Sequence, residues 1–265
     1  MDTTNKNDNA NKTQNIDKHF VATCFGKAIG TYDANAIVQK GVAAELAALM
    51  RKAEFPIGAN IYEVGAGTGL MTARLVGEFA PRHIVANDLC WGCKEPILRV
   101  SNGKAEFKSG DAETAPIPEE TEAVVSCSTV HWFENMGAFF RKVSAALDVG
   151  GYFAFSSFGS DNLKEVREIG QVGLEYMTIA EHGKMLADAG FDIVESADGT
   201  ERIFFPDSRA LLRHFRATGV GGVRHDKWDM RETLHFCHEY EKRFRCARGL
   251  PLTYNPLYFV CVKSR

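Results

Sequence analysis

At 265 residues with 45% hydrophobic side chains, the chain can bury a full core and needs no staple to fold. Its net charge of -3 excludes a general nucleic-acid binder, whose phosphate affinity rests on surplus Lys and Arg, and no apolar run approaches the ~20 residues of a membrane span. Seven cysteines, an odd number, fit reduced thiols, and the polar N-terminus lacks the apolar core of a signal peptide, so a cytoplasmic location is expected; separately, a monomer is expected.

Residues 1–17 are rich in Asn, Lys, Thr and Asp and read as a disordered tail, with 18–265 as a single domain. From His19 to Met50 the pattern is helical, with Ile37, Val38, Val42, Leu46 and Leu49 at helical spacing, a cover ahead of the first strand. A strand at Asn60–Val64 enters the turn Gly65-Ala66-Gly67-Thr68-Gly69, and a helix runs from Leu70 to Phe79. Further strands follow at His83–Asp88, Ala105–Lys108, Ala123–Cys127 and Tyr152–Ser156, with a helix from Met136 to Leu147. Thr178 and Glu181 have capping-box spacing for a helix that ends at Gly190, followed by a strand at Phe191–Val194. Arg202–Phe205 reads as an edge or insertion segment. Asp207 caps a helix to Gly219, a second helix runs from about Met230 to Cys246, and Leu257–Val262 forms a last, antiparallel strand. The alternation predicts an α/β fold: a doubly wound, mostly parallel seven-stranded sheet, with the two late helices as a lid at about 207–247.

Chemistry concentrates at strand ends. Glu63, Asp88 and Asp111 stand at or just after the ends of the first three strands, where ligands of open α/β sheets bind. The glycines are spaced Gly-x-Gly-x-Gly, and an acid two residues before the first would repel a pyrophosphate. A nucleoside carrying positive charge suits the site, and S-adenosylmethionine has that character. Cys90 and Cys93 have redox or half-zinc spacing, but no second ligand pair exists at matching spacing, so no metal is expected. His131 follows the fourth strand as a candidate base, or as a packed histidine. Nucleophile-elbow and phosphate-loop motifs are absent from the sequence.

With these residues laid out, the chain resembles the class I S-adenosylmethionine-dependent methyltransferases, and within them the malonyl-acyl-carrier-protein O-methyltransferases of biotin synthesis. The shared motifs are Glu63-Val-Gly65-Ala-Gly67-Thr-Gly69, Asp88-Leu89 and Gly110-Asp111-Ala112. The more specific ones are Thr31-Tyr32-Asp33, Val38-Gln39, Ser157-Phe158-Gly159, Ala217-Thr218-Gly219 and Gly249 to Tyr254. The resemblance implies S-adenosyl-L-methionine as cofactor, with Glu63, Gly65, Ala66 and Gly67 on its methionine part and Asp88 on the ribose. It places Asp111 on the adenine, with Leu89, Ala112 and Ser126 beside them, while Tyr32 and Gln39 close the methionyl end. Tyr32 and His131 are the candidate catalytic residues, although His131 stands where the family commonly has Gln. Arg202, Arg213 and Arg216 are candidates for the substrate carboxylate. The implied substrate is malonyl-acyl carrier protein, or malonyl-CoA, with no nucleic acid or membrane partner. Arg209, Arg213, Arg216, Arg224, Lys227 and Arg231 make the lid basic enough to dock an acidic carrier. Two other possibilities are a methyltransferase of another small molecule and a non-catalytic cofactor-binding module.

Overall fold

The computed structural model describes residues 16–170, 174–219 and 229–264. Two helices, α1 (Lys18–Asn35) and α2 (Ile37–Lys52), precede β1 (Asn60–Val64), and α3 (Leu70–Arg74) ends in a wider turn at Leu75–Phe79. Then come β2 (His83–Asp88), α4 (Lys94–Val100), β3 (Ala105–Ser109), β4 (Ala123–Ser126), α5 (Met136–Ala146), β5 (Tyr152–Phe158), α6 (Lys164–Gly170), α7 (Ile179–Asp188) and β6 (Phe191–Asp198). The chain closes with β7 (Glu201–Phe205), α8 (Ser208–Thr218), α9 (Met230–Phe244), β8 (Leu250–Tyr254) and β9 (Pro256–Lys263).

The main sheet has seven strands in the order β3-β2-β1-β4-β5-β9-β6. Pairings from β3 through β5 are parallel, and β9 runs antiparallel between β5 and β6. Both faces are covered because successive residues point to opposite sides. Ile61, Val125, Ala154 and Val260 enter the core shared with α2, α3 and α4, whereas Tyr62, Val124, Phe153, Phe155 and Phe259 enter the core under α5 and α7. The expected seven-stranded doubly wound sheet and its antiparallel last strand are therefore present.

Local chemistry sets the ends. Thr178 and Glu181 form the expected capping box on α7, and the Asp207 carboxylate accepts the Ala210 N–H at the start of α8. Ile16 is buried, and the Asp17 carboxylate accepts the Phe20 N–H of α1, so folded chain begins within the stretch read as a tail; residues 1–15 lie outside the described residues. Two elements had no counterpart in the sequence expectations. β8 pairs with β7 in a separate two-stranded sheet, where Pro251 is tolerated because no second neighbour needs its missing N–H. Short α6 holds Glu165, which is buried and accepts from both the Thr253 N–H (3.1 Å) and the Thr253 hydroxyl (2.5 Å). Tyr240 of α9 donates to the Pro251 carbonyl at 2.7 Å. The excursion between β6 and β9 is thus a strand pair carrying two helices, tied to α6 and delivering Tyr254 over the carboxyl ends of the sheet.

Candidate active site

A cavity of about 200 Å³ opens at those carboxyl ends. Its floor comes from the segments after β1, β2, β3 and β4, and its cover from α1, the end of α8 and Tyr254. The cover fits closely: the Thr31 hydroxyl of α1 donates to the Ala217 carbonyl at 3.3 Å, and a Cβ on Gly219 would lie 3.3 Å from the Phe25 Cα. Gly219 also ends α8 at φ 70°, so glycine serves both turn and contact.

The glycine turn follows the same logic. Gly65 and Gly67 sit at φ 68° and 57°, and a Cβ on Gly65 would fall 2.2 Å from the Thr129 side chain. Asp88 is fixed at the end of β2 by two backbone donors, Gly67 N–H to Oδ2 and Cys90 N–H to Oδ1, each at 2.8 Å. Burial pushes its pKa up, and these hydrogen bonds oppose the rise. Asp111 accepts from the Glu113 N–H (2.9 Å) and from the Lys18 ammonium (2.6 Å), which also meets Glu113 at 2.5 Å. Burial works against the charge on Lys18, but the bonds to Asp111 and Glu113 outweigh it and its pKa is raised.

Of the residues singled out in the sequence, Tyr32, Gln39, Gly65, Ala66, Gly67, Asp88, Leu89, Asp111, Ala112 and His131 line the cavity. Glu63 and Ser126 stand behind its wall. Glu63 is 1% exposed and accepts from the Thr72 hydroxyl at 2.7 Å, and the Ser126 hydroxyl donates to the Val64 carbonyl at 3.0 Å. Arg202, Arg213 and Arg216 are exposed and do not line the cavity: Arg202 lies on β7, and on α8 apolar positions such as Leu211 take the inward face. Arg224 and Lys227 lie outside the described residues.

His131 is buried between Trp132 and Phe158, with ring centroids at 5.3 and 5.0 Å, and its Nδ1 has no partner. Burial first, then the nearby His182, lowers its pKa to about 3, so the ring is neutral. Tyr32 stands edge-on to Phe25, and burial raises its hydroxyl pKa far out of the neutral range. Sequence reasoning gave no role to Lys18, Ser128, Asn162, Tyr176 or Tyr254, all of which line the cavity. Ser128 and Leu163 hold positive φ (54° and 52°) in its wall, a local cost of the kind found at ligand sites and invisible in a sequence.

The methionyl end tests whether the residues fit S-adenosylmethionine. Gln39 hydrogen-bonds the Tyr254 hydroxyl, which lies 2.8 Å from His214 Nε2. The Gln39 amide donates, leaving Gln39 Oε1 a buried acceptor with no partner. Glu63 Oε1, close behind the glycine turn, is another, and burial pushes the Glu63 pKa up to about 8. Two spare acceptors beside a turn that admits close backbone approach fit a ligand bearing an ammonium, while Asp88 and Asp111 suit hydroxyl and amino donors. Among the described residues no cluster of His, Cys, Asp and Glu could hold a metal ion, and no helix is long and apolar enough to cross a membrane.

A family profile described as a methyltransferase domain matches residues 62–155. The magnesium protoporphyrin IX methyltransferase of Synechocystis, solved with bound S-adenosylhomocysteine, shares the fold at a TM-score of 0.55 and 12% identity, over 85% of this chain and 83% of that one. Sheet order, glycine turn and paired acids make the protein a class I methyltransferase, and its methyl donor is S-adenosylmethionine. Curated relatives narrow this further. The chain is 34% identical over 263 residues to the malonyl-[acyl-carrier protein] O-methyltransferase of Bacteroides thetaiotaomicron, covering 94% of this chain and 100% of that protein. It is 36% identical over 249 residues to the protein of that name from Bacteroides fragilis, covering 93% of this chain but spanning only 50% of that longer relative. The chain belongs to the malonyl-[acyl-carrier protein] O-methyltransferase family.

Proposed function

We propose that this protein transfers a methyl group to the free carboxyl of a malonyl thioester on acyl carrier protein, giving the methyl ester that enters biotin synthesis. The observation that carries this reading is the match along the full length of the Bacteroides thetaiotaomicron relative. The cofactor, once bound, supplies an electrophilic methyl on a sulfonium. Gln39 and the glycine turn, with Glu63 behind it, would hold its methionyl end, Asp88 its ribose hydroxyls and Asp111 its adenine.

The remaining chemistry asks little of the protein. A carboxylate is already a nucleophile at neutral pH, so alignment and exclusion of water suffice and no base is required. His131, neutral and packed among aromatic rings, serves as wall. Tyr32 keeps its proton and presents a hydroxyl to the methyl-transfer end. α1, α8 and Tyr254 keep water out.

The acidic carrier docks on the lid in this reading. Arg209, Arg213 and Arg216 are exposed on α8, whose last residue and following glycine, Thr218 and Gly219, border the cavity, so a carrier on that face reaches the pocket. Malonyl-CoA, with the same acyl group, is the smaller substrate. The protein acts as a cytoplasmic monomer, with no nucleic-acid or membrane partner. Mass spectrometry of malonyl-carrier incubated with protein and cofactor tests the reading: a gain of one methyl on the acyl group supports it, and an unchanged acyl group with S-adenosylhomocysteine formed from another acceptor contradicts it.

A further inference from the structure

A pocket that selects an anionic acyl end needs positive charge near it. Among the described residues Lys18 is the one cation that lines the cavity, and Asp111 and Glu113 already hold it at the adenosine end. The opposite end is walled by Phe158, Asn162, Leu163, Tyr176 and Tyr254, none of them charged.

Behind that wall is Arg167 of α6. Its guanidinium carbon lies 5.6 Å from the centre of the Tyr176 ring, and one terminal nitrogen donates to the Ser160 carbonyl. Its Nε is buried with no hydrogen-bond partner. Arginine keeps its charge at any physiological pH, so this is a half-buried cation whose hydrogen-bond and ring partners among the described residues, the Ser160 carbonyl and the Tyr176 ring, are neutral.

Tyr176 is placed to carry that charge to the cavity. Asn162 lines the cavity with Tyr176 and acts on its hydroxyl in the sense of a hydrogen-bond donor, and Asn162 Oδ1 accepts the Asn255 N–H at 3.3 Å. With Oδ1 engaged, the Asn162 amide NH₂ is the group left to face the phenol oxygen, and the phenol proton is then available to a ligand in the cavity. Burial raises the Tyr176 pKa to about 12, while Asn162 and Arg167 pull the other way, so the hydroxyl keeps its proton near the cation.

We propose that Tyr176 and Arg167 form the carboxylate-selecting element of the substrate end: Tyr176 donates to one carboxylate oxygen, and Arg167 behind its ring supplies the charge that favours an anionic acyl end. This rests on the malonyl reading above. The arrangement suits the chemistry, because a guanidinium bound to both oxygens would blunt the attacking one. A charge set behind a ring attracts the anion and leaves that oxygen free. Arg167 is a positioning residue in this scheme, and Tyr176 touches substrate.

The test compares malonyl-carrier with acetoacetyl-carrier, a neutral near-isostere, on the wild-type protein and on Arg167→Gln, Arg167→Lys and Tyr176→Phe. Arg167→Gln should raise the KM for malonyl-carrier about ten- to a hundredfold and leave kcat within a few fold. Inhibition by acetoacetyl-carrier should change little, so the preference for the anion collapses. Arg167→Lys should recover part of it, and Tyr176→Phe should weaken malonyl-carrier about tenfold. Unchanged S-adenosylmethionine affinity in each variant shows the fold intact. The proposal is overturned if Arg167→Gln keeps the anion preference, or if it weakens both carriers equally. Should Arg167→Gln not fold, full anion preference in Tyr176→Phe overturns it instead. Wild-type protein that forms no methyl ester sinks the malonyl reading, whereas ester formed equally well by wild type and Arg167→Gln sinks only the role of Arg167.

Discussion

Asp88 and Asp111, the acids proposed for the adenosine, are held in place by backbone N–H groups of nearby turns, whereas Tyr254, at the proposed substrate end, is held by His214, a side chain 40 residues away in sequence. A nucleoside end built on backbone donors and strand termini tolerates change in the rest of the chain. An acyl end assembled from α1, the segment after β5, the end of α8 and β8 changes whenever the excursion between β6 and β9 changes. Specificity is thus carried by the part of the molecule with least local definition.

The contrast breaks most sharply at Asp88. If Asp88 holds the ribose as proposed, Asp88→Ala removes that acceptor and strands the Gly67 and Cys90 N–H groups, so S-adenosylmethionine affinity should fall by ~1.5–3 kcal/mol, about ten- to a hundredfold. Glu113→Ala, whose side chain holds Lys18 and the Glu134 and Asn135 N–H groups, should cost far less. Equal, small losses in calorimetry would remove Asp88 from the ribose.

Acid should strain the substrate end and the core behind it. Burial lowers the pKa of His131 to about 3, of His214 to about 4, and of His182 in the same direction. Each takes up its proton in the unfolded chain first, so stability is whole above about pH 6.5 and is lost as pH falls towards 4 and below, by up to about 1.4 kcal/mol per pH unit for His131 and for His214. Glu63 acts in the opposite sense. Its raised pKa, about 8, means the folded chain holds a proton the unfolded chain has released, so stability falls as pH rises from about 4.5 to 8. Thermal melts of the cofactor-free protein should show both limbs, and Glu63→Gln should flatten the alkaline one. A melt temperature rising steadily from pH 5 to 8 would contradict the buried, neutral Glu63.

A smaller effect is expected at His131. His131→Ala should keep kcat on malonyl-carrier within about tenfold, since a carboxylate gives up no proton, and a loss of ~10²–10⁴ would point to an amine or hydroxyl acceptor instead. Smallest of all is the rim. Reversing Arg209 and Arg213 together to Glu should raise the carrier KM a few fold at low salt and leave cofactor affinity alone, and carrier turnover unaffected at low salt would remove α8 as the docking face.

The same contrast explains what the sequence disclosed. Alternating strands and helices, the glycine turn and the acids after β2 and β3 are local patterns, and the sheet and the cavity floor were legible from them. The capping residues Thr178, Glu181 and Asp207 were legible for the same reason. β8 escaped because its anchors, Glu165 and Tyr240, come from other elements and Pro251 argues against a strand. The lid arginines suggested a carboxylate site, but α8 turns its apolar side inward and leaves Arg213 and Arg216 outside. Arg167 had no sequence signal: only the fold sets it behind Tyr176.

The measurement that bears most directly on the central claim follows a labelled methyl group. S-adenosylmethionine labelled in its methyl is incubated with malonyl-carrier and the protein, and the carrier is then treated with mild alkali. A carboxyl O-methyltransferase puts the label on the carrier in a form that alkali releases as methanol. Label that survives alkali on the acyl chain, or a carrier that takes up no label while the cofactor is consumed, would contradict it.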